Sequence, residues 1–140
     1  HIYMKELNAE DTLRALSIEQ EIKNLLGQDS NHQVNFNYSE RNGNIQLFIE
    51  TINPRYNQMF LFHAEVGIDK LDVLNKSLAY ARGYRDHFDS YTIQWSATGE
   101  QGVRTSYFHG RSIEEALEKF RYGRDRNKTT IFLVSLNPKA

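Results

Sequence analysis

Apolar residues recur along this chain with two periods, and each period predicts one kind of secondary structure. Ile18, Ile22 and Leu25 follow the three-to-four-residue spacing of an amphipathic helix, whereas Val34 and Phe36 alternate with polar residues as in a half-buried strand. The same two periods, followed along the whole chain, predict nine elements. They are a helix over 5–26, strands over 33–38, 45–51 and 59–66, a helix over 69–83, strands over 91–97 and 103–109, a helix over 113–122 and a strand over 129–136.

Turn and capping residues mark the boundaries of the predicted elements in the first half of the chain. Asn8 is placed to cap the first helix, and a second start signal at Ser17 leaves open whether this region forms one helix or two. Asn42-Gly43 predicts a hairpin because both residues tolerate a positive φ. Asp69 is expected to begin the second helix and Gly83 to end it, and 53–57 is expected to form a turn.

The stretch 104–138 is the most clearly delimited part of the sequence. Ser112 and Glu115 form a capping box, in which each side chain is expected to accept the other's backbone amide. Gly123 is expected to end that helix in a left-handed conformation. The nearly continuous apolar run over 129–136 is typical of a strand that is covered on both faces, so we expect it to be central in its sheet.

The order of elements, α-β-β-β-α-β-β-α-β, predicts an α+β fold with a mostly antiparallel sheet and about three helices. We interpret 1–140 as a single domain with a potential seam near 84–89, because a second unit of about 50 residues without disulfides is small for independent stability. In this interpretation the last strand is inserted into a sheet shared by both halves.

The order α-β-β-β-α over 8–83 is also that of double-stranded-RNA-binding domains. Those domains place a cluster of basic residues at the start of their final helix, whereas the corresponding helix here opens with Asp69-Lys70-Leu71-Asp72. We therefore assign the sequence to no family on this ground.

Composition narrows the class of protein without naming an activity. The net charge is −1, the mean hydropathy is −0.65, and no apolar run approaches the length of a membrane-spanning helix. These values predict a soluble chain with no membrane association. It has no cysteine, which excludes disulfides and thiol catalysis and fits a reducing compartment, so we expect a cytoplasmic protein.

Positive charge is concentrated near the C-terminus. Residues 101–140 hold eight Lys or Arg and four Asp or Glu, whereas 1–100 hold nine and fourteen. This distribution predicts nucleic-acid or anion binding, with phosphates held by the basic side chains and a tyrosine available for stacking. The alternative is a solvated loop that keeps an exposed sheet edge soluble. The candidate binding residues are Arg104, Arg111, Arg121, Tyr122, Arg124, Arg126 and Lys128.

A second candidate surface is rich in tyrosine and arginine, the residues enriched in interface hot spots. The alternative is an ordinary helix end whose arginines complement the helix dipole. The candidate interface residues are Tyr80, Arg82, Tyr84 and Arg85.

Signatures of catalysis are weak. His63 and Glu65 share a strand face, His87 is followed by Asp89, and His109 ends a strand, but no histidine spacing typical of a metal site occurs. Phosphate-binding glycine motifs and the GxSxG nucleophile motif are also missing from the sequence. We therefore predict no metal and no cofactor, and an enzyme that uses these His and Glu side chains is the third hypothesis.

The leading hypothesis from sequence is a small binding or interaction module that forms a homo-oligomer or binds a protein partner. Its sixteen Phe and Tyr residues and its exposed sheet edges motivate self-association. The second hypothesis is a nucleic-acid-binding module that uses the basic aromatic C-terminal region. No motif identifies the ligand or the reaction.

Overall fold

The computed structural model describes residues 7–26, 33–53 and 58–138 of the chain. Within them it contains three α-helices and two three-stranded antiparallel sheets, which confirms the α+β class and the predicted order of elements. The elements are α1 (Ala9–Leu26), β1 (Gln33–Arg41), β2 (Asn44–Asn53), β3 (Gln58–Gly67), α2 (Lys70–His87), β4 (Asp89–Ala97), β5 (Arg104–Gly110), α3 (Ile113–Arg121) and β6 (Thr129–Leu136).

Contacts within the chain divide it into two compact units, 1–82 and 83–140. The boundary falls inside α2, just before the predicted seam at 84–89. We describe each unit by itself, and the interpretation of the whole chain as one domain stays a prediction.

Unit 1 contains a three-stranded sheet in the order β1-β2-β3. The predicted hairpin is confirmed: Arg41 pairs with Asn44, and the two residues between them, Asn42 and Gly43, have φ values of 53° and 81°. Both angles are positive, as a tight turn that matches the twist of the strands requires. The turn predicted over 53–57 lies mostly outside the described residues.

Buried residues alternate along β2 and contribute to the core of unit 1. Ile45, Leu47 and Ile49 are buried, and their partners on β1 and β3 include Tyr38 and His63. Both helices contact this face of the sheet. The Tyr38 hydroxyl donates to a carboxylate on α1, and the His63 ring stacks on a tyrosine of α2.

The first helix is a single element. The Asn8 side chain accepts the backbone amide of Asp11 at 2.8 Å, so the predicted cap is confirmed. The helix continues through the alternative start at Ser17 as far as Leu26.

The second helix begins as predicted and ends later than predicted. Asp69 accepts the amide of Asp72 at 2.8 Å, and the Asp72 carboxylate turns back to accept the amide of Ile68 at 2.9 Å. That carboxylate approaches Gly67 so closely that a β-carbon there would clash with it. The prediction that Gly83 ends α2 is wrong, because Gly83 stays helical and the helix continues to His87. Glycine lowers the stability of a helix interior by only about 1 kcal/mol, which tertiary packing can offset.

Unit 2 contains a second three-stranded sheet in the order β5-β4-β6, with α3 on one face. Tyr91, Ile93 and Trp95 alternate as buried residues along the central strand β4. Phe120 from α3 is fully buried and meets the Trp95 ring edge-on, with ring centroids 5.1 Å apart. Trp95 is therefore a core residue of unit 2.

The capping box of α3 is only partly as predicted. Ser112 Oγ accepts the amide of Glu115 at 3.1 Å, which is the expected cap. The Glu115 carboxylate reaches one residue further back than expected, to the amide of Arg111 at 3.3 Å. Gly123 follows the helix with a φ of 70°, which confirms the predicted left-handed stop.

Two expectations about the last strand are wrong. β6 has the predicted bounds, but it lies at the edge of its sheet and pairs with β4 alone among the described strands. It also does not join a sheet shared by both halves, because the strands of the described residues form two separate sheets. A continuous apolar run is compatible with an edge strand or with a central strand. The centre of this sheet is occupied by β4, whose buried residues alternate along the strand.

Across the described ranges, the structure contains no helix of the length and apolar character that crossing a membrane requires.

Candidate functional site

The predicted basic region folds as a compact connection between α3 and β6. After Gly123, a short 3₁₀ turn over Arg126–Lys128 leads directly into the strand. Asp125 caps this turn, because its side chain accepts the amide of Asn127 at 2.9 Å. The connection is therefore held by local hydrogen bonds, and its basic side chains leave it from defined backbone positions.

An open groove of about 370 Å³ lies beside the start of β6. Arg121, at the end of α3, and Arg126, at the start of the 3₁₀ turn, both line it. Thr129, Thr130 and Ile131 complete the lining that the structure describes. The two guanidinium groups and the Thr130 hydroxyl are donors suited to an anion, and guanidinium groups match phosphate and carboxylate oxygens in pairs. The Thr129 hydroxyl donates to the carbonyl of Asp125 at 3.4 Å.

Arg124, in contrast, belongs to the core of unit 2. Its Nη1 atom donates to the carbonyl of Phe120 at 2.7 Å, and its guanidinium lies over the rings of Phe120 and Trp95, 5.0 and 5.4 Å from their centroids. Burial lowers the pKa of this guanidinium below its usual value. We therefore interpret Arg124 as a structural residue that covers aromatic rings.

Arg104 and Arg111 are neutralised by neighbouring carboxylates. Arg104 pairs with Glu100, and the Nε atom of Arg111 lies 3.1 Å from a carboxylate oxygen of Glu115. Neither arginine lines the groove. Arg104, Arg111 and Arg124 are thus three predicted binding residues that lie outside the groove.

The remaining two candidates also lie outside the described groove lining. Tyr122 is the C-terminal cap of α3, and its amide donates to the carbonyl of Glu118 at 3.1 Å. Lys128 is exposed at the end of the 3₁₀ turn, where its carbonyl accepts the amide of Thr98 at 2.8 Å. The structure thus brings only Arg121 and Arg126 of the seven candidates to one groove.

The four predicted interface residues differ in their surroundings. Tyr80 is buried in unit 1, where it stacks on His63 with ring centroids 3.7 Å apart. Arg82 is exposed and pairs with Glu21 at 2.7 Å. In unit 2, the ring of Tyr84 meets His109 edge-on. Arg85 lies within α2. Tyr80 is therefore a core residue of unit 1, and the interface role of the other three residues stays a prediction.

The histidines also have separate environments. His63 is buried, and its Nε2 atom lies 3.0 Å from Glu65 Oε1, so the predicted shared strand face is confirmed. His87 is exposed at the end of α2, and His109 is exposed on β5. Among the residues that the structure describes, no three His, Asp or Glu side chains form a group that could hold a metal ion.

Sequence reasoning missed a buried lysine. Lys119 lies on the buried face of α3, where its Nζ atom donates to the carbonyl of His109 at 2.6 Å and lies 3.9 Å from Glu115. Burial lowers the pKa of Lys119 to about 8, and the Glu115 carboxylate opposes that shift. Its position three residues after Ala116 and next to Phe120, on the apolar stripe of the helix, was the available signal.

A buried glutamate was missed as well. Glu50 on β2 is nearly inaccessible and accepts a hydrogen bond from Asn35 Nδ2 at 2.7 Å. These two residues are cross-strand partners in the sheet of unit 1. The alternation of β2 did not identify this site, because β2 pairs irregularly with β3 between Ile49 and Glu50, where the alternation breaks.

The chain was compared with protein-family models, with curated proteins and with solved structures, and none of these comparisons found a match.

Proposed function

We propose that this chain is a cytoplasmic binding module that self-associates through the exposed edge of β6. The observation that supports this proposal is the apolar character of that edge. Phe132, Leu133 and Leu136 expose 58%, 46% and 57% of their surface, although they belong to one eight-residue strand. An edge strand presents unpaired backbone groups, and exposed apolar side chains add a driving force for pairing.

The other edge strands of the two sheets carry features that discourage pairing. β1 contains Glu40 and Arg41, β3 contains Glu65, and β5 begins with Arg104. β6 contains no charged residue and no proline between its first and last positions. Since charged side chains and proline protect natural sheet edges from association, their absence favours β6 as the contact surface.

A second copy is the partner that fits this edge most simply. Two antiparallel copies of one strand are related by a two-fold axis, so the same residues serve on both sides of the contact. Pairing of two β6 strands would join two three-stranded sheets into one of six strands. The amide of Asn137 donates inward to the carbonyl of Ser90 at 2.8 Å. Because hydrogen bonding alternates along antiparallel strands, we expect the neighbouring Leu136 amide to point outward.

Self-association can be tested by sedimentation of the wild-type chain and of a doubly charged variant over a range of concentrations. We expect the wild type to form dimers as concentration rises, and Phe132→Lys with Leu136→Lys to remain monomeric. Both side chains are exposed, so we expect the variant to fold. A wild type that stays monomeric at the highest concentration would contradict the proposal.

A matched control lies at the opposite edge of the same sheet. Val103, just before β5, and Tyr107, within β5, expose 58% and 69% of their surface. The variant Val103→Lys with Tyr107→Lys adds the same charge to unit 2. We expect it to dimerise like the wild type. Equal loss of the dimer in both variants would show that charge, and not the β6 edge, governs association.

Nucleic-acid binding is the second candidate function, and one specific observation favours it. Arg121 and Arg126 line a common groove without an acidic side chain in its described lining. Phosphates of a nucleic-acid backbone would be the natural ligand of such a groove. The enzyme hypothesis stays the third prediction, and the His63–Glu65 pair that it uses is mostly buried.

A further inference from the structure

The basic residues of unit 2 fall into two groups that differ in their electrostatic partners. Arg104 and Arg111 pair with carboxylates, and Arg124 lies over aromatic rings. Arg121 and Arg126 form no ion pair with any acidic side chain of the described ranges 7–26, 33–53 and 58–138. Their charges are therefore left to solvent or to a ligand.

These two arginines converge although they belong to different elements. Arg121 is the last residue of α3 and Arg126 the first residue of the 3₁₀ turn, and the left-handed Gly123 reverses the chain between them. The Asp125 carboxylate, directly before Arg126 in sequence, accepts the amide of Asn127. The loop thus directs two cations toward one volume while its own acidic group caps the turn.

The described lining of the groove is suited to an oxyanion that carries an organic group. Thr130 has a hydroxyl donor, the Thr129 hydroxyl donates to the carbonyl of Asp125 at 3.4 Å, and Ile131 supplies an apolar wall. The volume of about 370 Å³ is within the usual range for small-ligand sites. A bare phosphate would fill only a part of it.

We propose that this groove binds the phosphate group of an organic phosphate, with Arg121 and Arg126 as its charged donors and the Thr130 hydroxyl as a neutral one. The phosphate source is either a free phosphate monoester, such as a nucleotide, or the backbone of a nucleic acid. The site does not depend on self-association through β6. It gives the second candidate function a defined location if the source is a nucleic acid.

The proposal is tested by calorimetric titration of the full chain at one fixed ionic strength with three probes: inorganic phosphate, thymidine 5′-monophosphate and a short oligothymidylate. We expect saturable binding of thymidine monophosphate to the wild type. Because a hydrogen bond to a charged group typically contributes a factor of ten or more, Arg126→Gln and Arg121→Gln should each weaken binding about tenfold or more.

The matched control is Arg111→Gln, which removes one positive charge from unit 2 outside the groove. We expect its affinity to equal that of the wild type. The exposed position of Arg126 makes misfolding of Arg126→Gln an implausible cause of lost binding, and an unchanged Trp95 emission spectrum would verify this. Equal weakening in all three variants would overturn the proposal, as would the absence of saturable binding for every probe.

The two sources are distinguished by comparing the probes. Oligothymidylate that binds much more tightly than the monophosphate, with a steep dependence on salt, identifies a nucleic-acid backbone as the ligand. Similar affinities for the two probes identify a phosphate monoester, and both results support the groove as a phosphate site. Sedimentation of the same variants separates this result from self-association, because Arg126→Gln leaves β6 unchanged.

Discussion

The two units cover similar three-stranded sheets in different ways. In unit 1, α1 and the part of α2 up to Arg82 supply buried aliphatic side chains such as Ile22, Val73 and Leu74. In unit 2, α3 has nine residues, and the core depends on the rings of Trp95 and Phe120. The buried residues of α3 are Ala116, Lys119 and Phe120, so Phe120 supplies most of the apolar surface that this short helix buries. The burial is therefore concentrated in a few residues of unit 2 and distributed over many in unit 1.

Charged side chains also contribute to the core of unit 2. In unit 2, the guanidinium groups of Arg104 and Arg124 lie over Trp95, and Lys119 is buried beside Phe120. The alkyl stems and planar groups of these side chains can cover apolar surface while they keep their charge. Cationic side chains thus cover the aromatic core of unit 2, which explains the structural role of Arg104, Lys119 and Arg124.

The largest loss of stability that this comparison predicts results from the removal of the Phe120 ring. The ring contacts Trp95 and Phe108, so Phe120→Ala should lower the free energy of unfolding by about 3–5 kcal/mol. Urea unfolding followed by the fluorescence of Trp95, the single tryptophan, measures this change in unit 2. A loss below about 1 kcal/mol would contradict the concentration of burial in this ring.

The aliphatic counterpart, Leu74→Ala in unit 1, is the matched control, with an expected loss of about 2–5 kcal/mol. Far-ultraviolet circular dichroism, which reports both units, should be recorded together with Trp95 fluorescence. Under the single-domain prediction the two signals change at the same urea concentration in this variant. Two separate transitions would instead identify two independently unfolding domains.

The buried lysine predicts a pH dependence that originates in unit 2. The folded chain holds the pKa of Lys119 at about 8, below its ordinary value of 10.5, so between these pH values the unfolded chain binds more protons. Stability must then rise with pH through this window, by up to about 3 kcal/mol, and this gain should be missing from Lys119→Met. Below pH 8 the cost of burying the charged lysine is present in full.

This prediction is checked by urea unfolding of the wild type and Lys119→Met at several values between pH 8 and 10.5. The control is Lys76→Met, since Lys76 is a half-exposed lysine of unit 1 that pairs with Asp72 at 3.2 Å. We expect the control to follow the wild-type pH dependence. Parallel pH curves for the wild type and Lys119→Met would refute the role of Lys119.

The smallest expected effect concerns the helix caps. Ser112→Ala removes the acceptor for the Glu115 amide and should lower the free energy of unfolding by about 1 kcal/mol, whereas Ser112→Gly should cost only a few tenths. Thermal or urea unfolding measures both variants. The same pair of substitutions at Asp69 of α2 provides the comparison with unit 1. A Ser112→Ala variant as stable as the wild type would show that Glu115 and Arg111 suffice to hold the start of α3.

Local signals were sufficient for most of the secondary structure. Asn8, Asn42-Gly43 and Ser112 each act through hydrogen bonds or backbone angles within a few residues, so their effects are visible in the sequence. Gly83 is the instructive failure. The same residue is compatible with a helix end or a helix interior, and packing around the following turn decided between them.

The candidate site was only partly predictable for a related reason. The sequence shows that arginines cluster near the C-terminus, but the partner of each arginine depends on distant parts of the chain. Arg124 covers Trp95, which is 29 positions earlier in the sequence, whereas Arg126, two residues further on, faces an open groove. Charge content could therefore suggest an anion site without identifying the two residues that line it.

By itself, the sequence determined the α+β class, the order of the elements and their caps, because hydrophobic periodicity and turn chemistry act over short distances. Only the tertiary structure decided that β6 lies at an edge, that Lys119 is buried, and that Arg121 and Arg126 meet at one groove. These features depend on which strands pair and which faces pack together. Such choices are made by contacts between residues far apart in the chain, and no local pattern records them.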